Sequence, residues 1–346
     1  MPRSDAQTDA QSDSRSHGSS DFDAPLTACP LCGGGPLHHR LTDHRGNRID
    51  ACGACGVEFM NPQYSDESLR RLYADYTQLN GHHDETRHRQ RIDVRQRGKR
   101  RSIQLLQRYS PGPRILMVGC GDGLELREAK ACGLQPEGYD VDPATTAAVA
   151  AAEGVRVHCG DFHELPAHTA ALDAVFLDQV IEHPKDPGRC LETCRALLRP
   201  GGVVFLGVPN LGSITNRLKS FADRLRLRSR PGRHYNTRHH ITFFRPAVLV
   251  RHLRERLGMD VLRVRASLKP QRNPLSRLLN GVHPCFDSSF FVIARAPDPA
   301  AADAARHGVR AAAPQPKAGG GDIAVASVRA VNVGPAGNVG QARRVD

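Results

Sequence analysis

Between Arg114 and Gly123 the chain reads RILMVGCGDG. Four consecutive apolar residues, Ile115 to Val118, suit a strand buried on both faces. Glycines at 119, 121 and 123 follow at once. A turn that lacks side chains at alternate positions lets the backbone approach a bound molecule closely. The spacing G-x-G-x-G is one residue short of the dinucleotide fingerprint, so the turn by itself can equally be a plain strand-to-helix loop.

The following residues repeat one rhythm. Strands are expected over 115–118, 134–140, 155–158, 172–177 and 203–208, with helices over 123–131, 144–152 and 188–198 between them. Two more strands are expected over 261–267 and 289–294, after a helix over 246–258. Strands alternating with helices imply a parallel sheet covered on both faces. Asp140 closes the second strand seventeen residues after Gly123. A carboxylate there can accept both hydroxyls of a ribose. Asp161 closes the third strand, where it can accept from an adenine amine with Phe162 beside the ring. Each acid can also serve as a helix cap or turn residue. No Gly-Lys-Ser/Thr follows the glycine turn, which disfavours a kinase or ATPase.

Upstream lie two knuckles, Cys29-x-x-Cys32 and Cys52-x-x-Cys55, with nineteen residues between them. Four thiolates in tetrahedral array fill the coordination of zinc and leave no position for substrate, so this site is expected to be structural. His38, His39 and His44 lie between the knuckles but are not needed as ligands. Unrelated thiols or redox pairs are the alternative. A disulfide framework is not expected in a chain read as cytoplasmic.

The net charge is +12, and arginine far outnumbers lysine. That balance can steer a protein toward RNA, acidic lipid or phosphorylated substrates, or merely reflect codon usage. No run approaches the ~18 apolar residues of a membrane span, and the polar first thirty residues do not read as a secretory signal. A cytoplasmic location without stable membrane insertion is therefore expected. Residues 86–101 read as a basic, mostly solvated helix. The arginines at 224, 226, 228, 230 and 233 read as a solvated face or as a receptor for an anionic group.

Together these motifs resemble the class I S-adenosylmethionine-dependent methyltransferases, in particular a bacterial group with an amino-terminal four-cysteine zinc element. VGCGDG corresponds to the glycine motif, GYDVDP to the ribose-binding strand end and GDFHELP to the adenine-side segment. LDAVFLDQVIEHPKDP, LLRPGG and VPN resemble the segments around the fourth and fifth strands. The resemblance covers about residues 29–295. It implies an α/β fold, a Rossmann-like seven-stranded methyltransferase sheet with helices on both faces, preceded by a small zinc-ribbon-like lobe. The expected organisation is a disordered leader over 1–27, the ribbon-like element over 28–62, and a helical linker or lid over 63–110. The class I domain then occupies 111–296, followed by a disordered tail over 297–346.

The resemblance further implies S-adenosylmethionine held by Gly119, Cys120, Gly121, Gly123, Asp140, Asp161, Phe162 and Asp178, with Zn2+ on Cys29, Cys32, Cys52 and Cys55. Met117 stands where relatives commonly carry an acid, which places more of the cofactor's binding on backbone groups. His183, after the fourth strand, is the candidate general base or substrate-orienting group, with a structural histidine bonded in the loop as the alternative. His239 and His240 are candidates for the same role or for packing. Some quinone-pathway O-methyltransferases resemble this segment and use Glu and His around a divalent ion, but Gln179 replaces one acid of that pattern. The expected acceptor is a small molecule methylated at oxygen or carbon, in sugar, polyketide, quinone or envelope biosynthesis, with anionic and carrier-attached acceptors as options. RNA is the alternative acceptor, and a noncatalytic adaptor the alternative class. The oligomeric state is left open.

Overall fold

A computed structural model describes residues 21–79, 85–167, 171–266 and 283–298, all within the unit Met1–Ala311. Most of the expected leader, 1–20, and nearly all of the expected tail, 299–346, lie outside the described residues. The chain opens with a short antiparallel ribbon, β1 (Leu37–Thr42), β2 (Arg48–Cys52) and β3 (Glu58–Met60), followed by helices α1 (Asp66–Leu79) and α2 (Glu85–Gln107). Then come β4 (Arg114–Val118), α3 (Leu124–Ala131), β5 (Gln135–Tyr139), α4 (Pro143–Glu153) and β6 (Val157–His158). The alternation continues through β7 (Leu172–Asp178), α5 (Pro187–Leu197), β8 (Leu198–Pro209) and α6 (Ile214–Arg224). The described chain closes with β9 (Thr242–Phe243), α7 (Pro246–Arg251), β10 (Asp260–Ala266) and β11 (Ser289–Arg295).

Seven strands form the large sheet in the order β10-β11-β8-β7-β4-β5-β6. Pairings from β8 to β6 are parallel, and β11 runs against both β8 and β10. The chain leaves β4 to build β5 and β6 on one side and returns to build β7 and β8 on the other. The tips of β4 and β7 therefore flank the point where the direction of winding reverses, the usual place for a ligand in such sheets.

Alternation along the central strands sends successive residues to opposite faces. Ile115, Met117, Ala174, Phe176, Val203 and Phe205 pack with Ile103 and Leu106 of α2 and with Leu126 and Ala129 of α3. Leu116, Val118, Val175, Leu177, Val204 and Leu206 face α5 and α7. Helices thus cover both faces, as the sequence pattern requires. The helix expected over 246–258 holds only to Arg251 before passing into a π-helical turn over His252–Arg256. β8 starts at Leu198, where it bridges Leu172, five residues before the expected start.

The ribbon does not stand apart. Cys29, Leu31, Cys52, Val57 and Phe59 belong to the same apolar cluster as α5, α7 and one face of the large sheet. The Gly188 N–H at the start of α5 donates to the Pro30 carbonyl at 3.2 Å, and a Cβ at Gly188 would lie 2.4 Å from the Leu31 carbonyl oxygen. On its far edge β3 pairs antiparallel with β9, which arrives from almost two hundred residues downstream. That fourth ribbon strand carries no sequence signal of its own, because it is two residues long.

Candidate active site

After β4 the backbone turns through Gly119, Gly121 and Gly123 at φ of 69°, 47° and 75°, a region open chiefly to glycine. The N–H groups of Gly119 and Cys120 both donate to the Tyr139 carbonyl, at 2.8 and 3.1 Å. Gly121 N–H donates to Asp140 Oδ2 at 2.9 Å, and Asp142 N–H to Asp140 Oδ1 at 3.2 Å. The half-buried Asp140 is thus fixed beneath the glycine turn at the tip of β5. A Cβ at Gly121 would meet nothing nearer than 4.0 Å, so open space lies over the loop where a ligand can approach the backbone.

At the next strand tip the exposed Asp161 accepts the His163 N–H at 2.8 Å and starts a short 3-10 turn. Its neighbour Phe162 is buried against Tyr139, ring centroids 4.8 Å apart, and the Tyr139 hydroxyl donates to the Gly160 carbonyl. Phe162 therefore presents backbone, and not an open ring face, at this rim.

Asp178, at the end of β7, is committed to a partner that the sequence reading left in solvent. Lys99 of α2, only 12 % exposed, places Nζ 2.7 Å from Asp178 Oδ2 and 2.6 Å from Glu125 Oε1 of α3. Burial alone would drive this ammonium toward neutrality, but the two carboxylates reverse the effect and raise its pKa above the ordinary lysine value. The signal available was that Lys99 is the single lysine in a helix full of arginines. Met117 lies in the apolar cluster with Cys120 and Leu126, so Glu125 and Asp178 supply the acids next to the glycine turn.

Beyond Asp178 the chain bends through Gln179, at a φ of 64°, into Glu182 and His183. The buried Glu182 uses its carbonyl to accept the N–H groups of Ile241 and Thr242, at 2.9 and 3.0 Å. This pins the segment 239–242 against the rim of β7. His183 Nδ1 sits 2.7 Å from the His239 carbonyl oxygen. A carbonyl only accepts, so Nδ1 donates this bond. His240 packs edge-on against His183, and the Nε2 atoms of His183 and His240 lie 4.0 and 3.9 Å from Glu182 Oε1.

Burial lowers the pKa of His183 and takes His240 to about 3, and burial with the neighbouring Arg238 charge lowers His239 to about 4. All three imidazoles are therefore neutral near pH 7. Glu182, His183 and His240 bring donor atoms within 4.8 Å of one another, a spacing suited to proton relay and also to gathering round a divalent cation. His239 contributes its carbonyl and not its ring to this trio.

The four knuckle cysteines converge as well. Sγ atoms of Cys29 and Cys55, and of Cys32 and Cys52, are 3.7 Å apart, and all four lie within 4.8 Å of one another. Zn–S bonds of ~2.3 Å in a tetrahedron place sulfurs about 3.8 Å apart, so the donor set fits zinc.

A family model described as "Methyltransferase domain" matches residues 87–264, just over half of the chain. The chain belongs to this family, the class I S-adenosylmethionine-dependent methyltransferases. A protein of Mycolicibacterium smegmatis named "Probable S-adenosylmethionine-dependent methyltransferase" is 36 % identical over 108 residues, 31 % of this chain and 42 % of that protein. The chain thus spans less than half of that relative's length. A protein of Xanthomonas axonopodis pv. citri named "Ubiquinone biosynthesis O-methyltransferase" is 31 % identical over 169 residues, 47 % of this chain and 69 % of that protein. Among solved structures, an S-adenosylmethionine-dependent methyltransferase from Archaeoglobus fulgidus aligns at 20 % identity and a TM-score of 0.40, over 57 % of this chain and 92 % of that chain.

Proposed function

We propose that this protein transfers the methyl group of S-adenosylmethionine to a hydroxyl oxygen of a small-molecule acceptor in the cytoplasm, with His183 as general base. The observation that carries the proposal is the placement of His183. Its Nδ1 is held 2.7 Å from the His239 carbonyl oxygen, which sets the imidazole beside Glu182 and His240 just past the tip of the strand that adjoins the glycine turn.

The cofactor's sulfonium supplies an already activated methyl group. Asp140, held by two backbone N–H groups, is aimed to accept the ribose hydroxyls, with Gly119, Cys120, Gly121 and Gly123 forming the close-approach loop. Asp161 and the Phe162 backbone would frame the adenine. Asp178 would act through Lys99 and Glu125, whose charges would complement the amino and carboxylate groups of the cofactor's methionine end.

His183 then needs only to lie within hydrogen-bond reach of the acceptor hydroxyl and remove its proton as the oxygen attacks. His240 and Glu182 hold the imidazole edge-on and stabilise it once it is charged. The preference for oxygen is supported by relatives named as O-methyltransferases. We further propose one structural Zn2+ on Cys29, Cys32, Cys52 and Cys55, where it would fix the ribbon that carries β9. The test is methyl transfer from labelled cofactor to a panel of phenolic, catecholic and sugar acceptors, repeated with His183→Ala. Turnover on a hydroxylated acceptor that survives the substitution would remove His183 from the chemistry.

A further inference from the structure

Helix α6 lies just after the tip of β8, capped by Ser213 Oγ accepting the Asn216 N–H at 3.3 Å. None of its eleven residues is buried. Ile214, Leu218 and Phe221, with Leu225 at the cap, recur at the spacing of one helical stripe, within about 60° of arc at 3.6 residues per turn. Leu218 and Phe221 are 63 % and 61 % exposed, and Leu227 just beyond is 73 % exposed. Five large apolar side chains on one short stretch face outward together, whereas isolated exposed ones are ordinary.

The polar surroundings of the stripe are of one sign. Residues 214–230 contain six basic residues and one acid, Asp223. That acid is turned inward, where its carboxylate accepts from Arg228 at 3.1 Å and from the Gly232 N–H at 2.9 Å. Arg217, Lys219, Arg224, Arg226 and Arg230 remain exposed around the apolar stripe.

We infer that α6 is a docking surface for an anionic phospholipid bilayer. It would lie in the plane of the interface with Ile214, Leu218, Phe221 and Leu225 sunk below the headgroups and the arginines on the phosphates. Charge decides between occupants. A second copy of this face would set six like charges against six others, with one already paired acid on each side. RNA would satisfy the arginines and could stack a base on Phe221, but it gains nothing from Ile214, Leu218, Leu225 and Leu227, four of the five exposed apolar side chains, which offer no ring. The attachment is peripheral, since no described helix is long and apolar enough to cross a membrane. The inference is independent of the methyl-transfer proposal.

The test is flotation of the full chain with vesicles of pure phosphatidylcholine or of phosphatidylcholine with phosphatidylglycerol, alongside the double variant Leu218→Ser/Phe221→Ser. Both side chains are exposed, so the variant should keep the parent's melting temperature. The expected result is binding to the anionic vesicles only, weakened by salt and at least tenfold by the double substitution. Equal binding by both proteins, or none by either, overturns the inference. So would a concentration-dependent dimer that the variant abolishes without any vesicle binding, or RNA binding in place of vesicle binding. Methyl transfer to a water-soluble acceptor is expected to be unchanged in the variant, which separates this result from the fate of the proposed reaction.

Discussion

The Tyr235 hydroxyl donates to Glu58 Oε2 at 2.5 Å, a bond across 177 positions of sequence between the ribbon and the segment that leads to His240. Both residues are buried, and Arg245 closes the other side of the Glu58 carboxylate. Burial and the adjacent Glu58 charge keep the Tyr235 phenol protonated, so it remains a donor. With the β3–β9 pairing, this bond makes the cysteine ribbon a brace for the histidine segment and not an appendage.

Removing the metal proposed for the four cysteines should therefore be felt at His240. We expect about one zinc per chain by elemental analysis, and a large fall in melting temperature with a strong chelator or with Cys52→Ser. Proteolytic cutting near 233–242 should rise in parallel. A metal-free protein with unchanged stability and activity would sink the structural role of the cluster.

His183→Ala should lower kcat by about 10²–10⁴ and leave cofactor affinity intact. His183→Asn keeps a donor for the His239 carbonyl but has no basic nitrogen. It should lose as much turnover as alanine while keeping the parent's stability. Recovery of activity in the asparagine variant would mean that His183 only positions the loop.

Asp140→Ala removes the acceptor for the Gly121 and Asp142 N–H groups as well as the proposed ribose contact. Calorimetry should show cofactor binding weakened by roughly 10–100-fold, the equivalent of one or two charge-assisted hydrogen bonds. Unaltered affinity would place the ribose elsewhere.

Lys99→Met should be costly, since it leaves Glu125 and Asp178 facing each other without a counter-charge. About 3–5 kcal/mol of stability should be lost in denaturant titration, the usual penalty for breaking a buried ion pair from one side. A double change that also replaces Glu125 with Gln should recover part of it.

Stability should fall in mild acid. Burial lowers His234 and His252 from 6.5 to about 4, and neither ring nitrogen of His252 has a hydrogen-bond partner among the described residues. Between pH 6.5 and 4 the unfolded chain binds more protons than the folded one, so ΔG of unfolding rises with pH. The contribution is intact above the unfolded value and is lost as pH drops through it, by about 1–3 kcal/mol for each histidine. Denaturant midpoints at pH 7 and pH 5 in the parent and in His252→Leu would measure it; a variant with the same pH slope as the parent would remove His252 as a source.

The large sheet was legible because each of its strands is local. Ile115–Val118, Leu172–Leu177 and Val203–Val208 are largely apolar runs ended by Gly119, Asp178 and Pro209, and their order follows from the connections between them. The cysteine knuckles were legible for the same reason, since ligand spacing is a property of neighbours. What sequence could not show were pairings at long range. Lys99 reads as one more cation on a basic helix until folding brings Glu125 and Asp178 around it. β9 is two residues without pattern until β3 offers an edge. The α6 stripe was obscured by its arginines, which read as a solvated face and drew attention from the leucines and phenylalanine between them.

The pairing of β3 with β9 also orders events on the ribosome. The cysteine hairpins emerge first, but β3 must wait with an open edge until residue 243 has been made. A nascent chain stalled before that point would present an unpaired, sticky strand, the kind of surface that chaperones hold and that misassembled chains share.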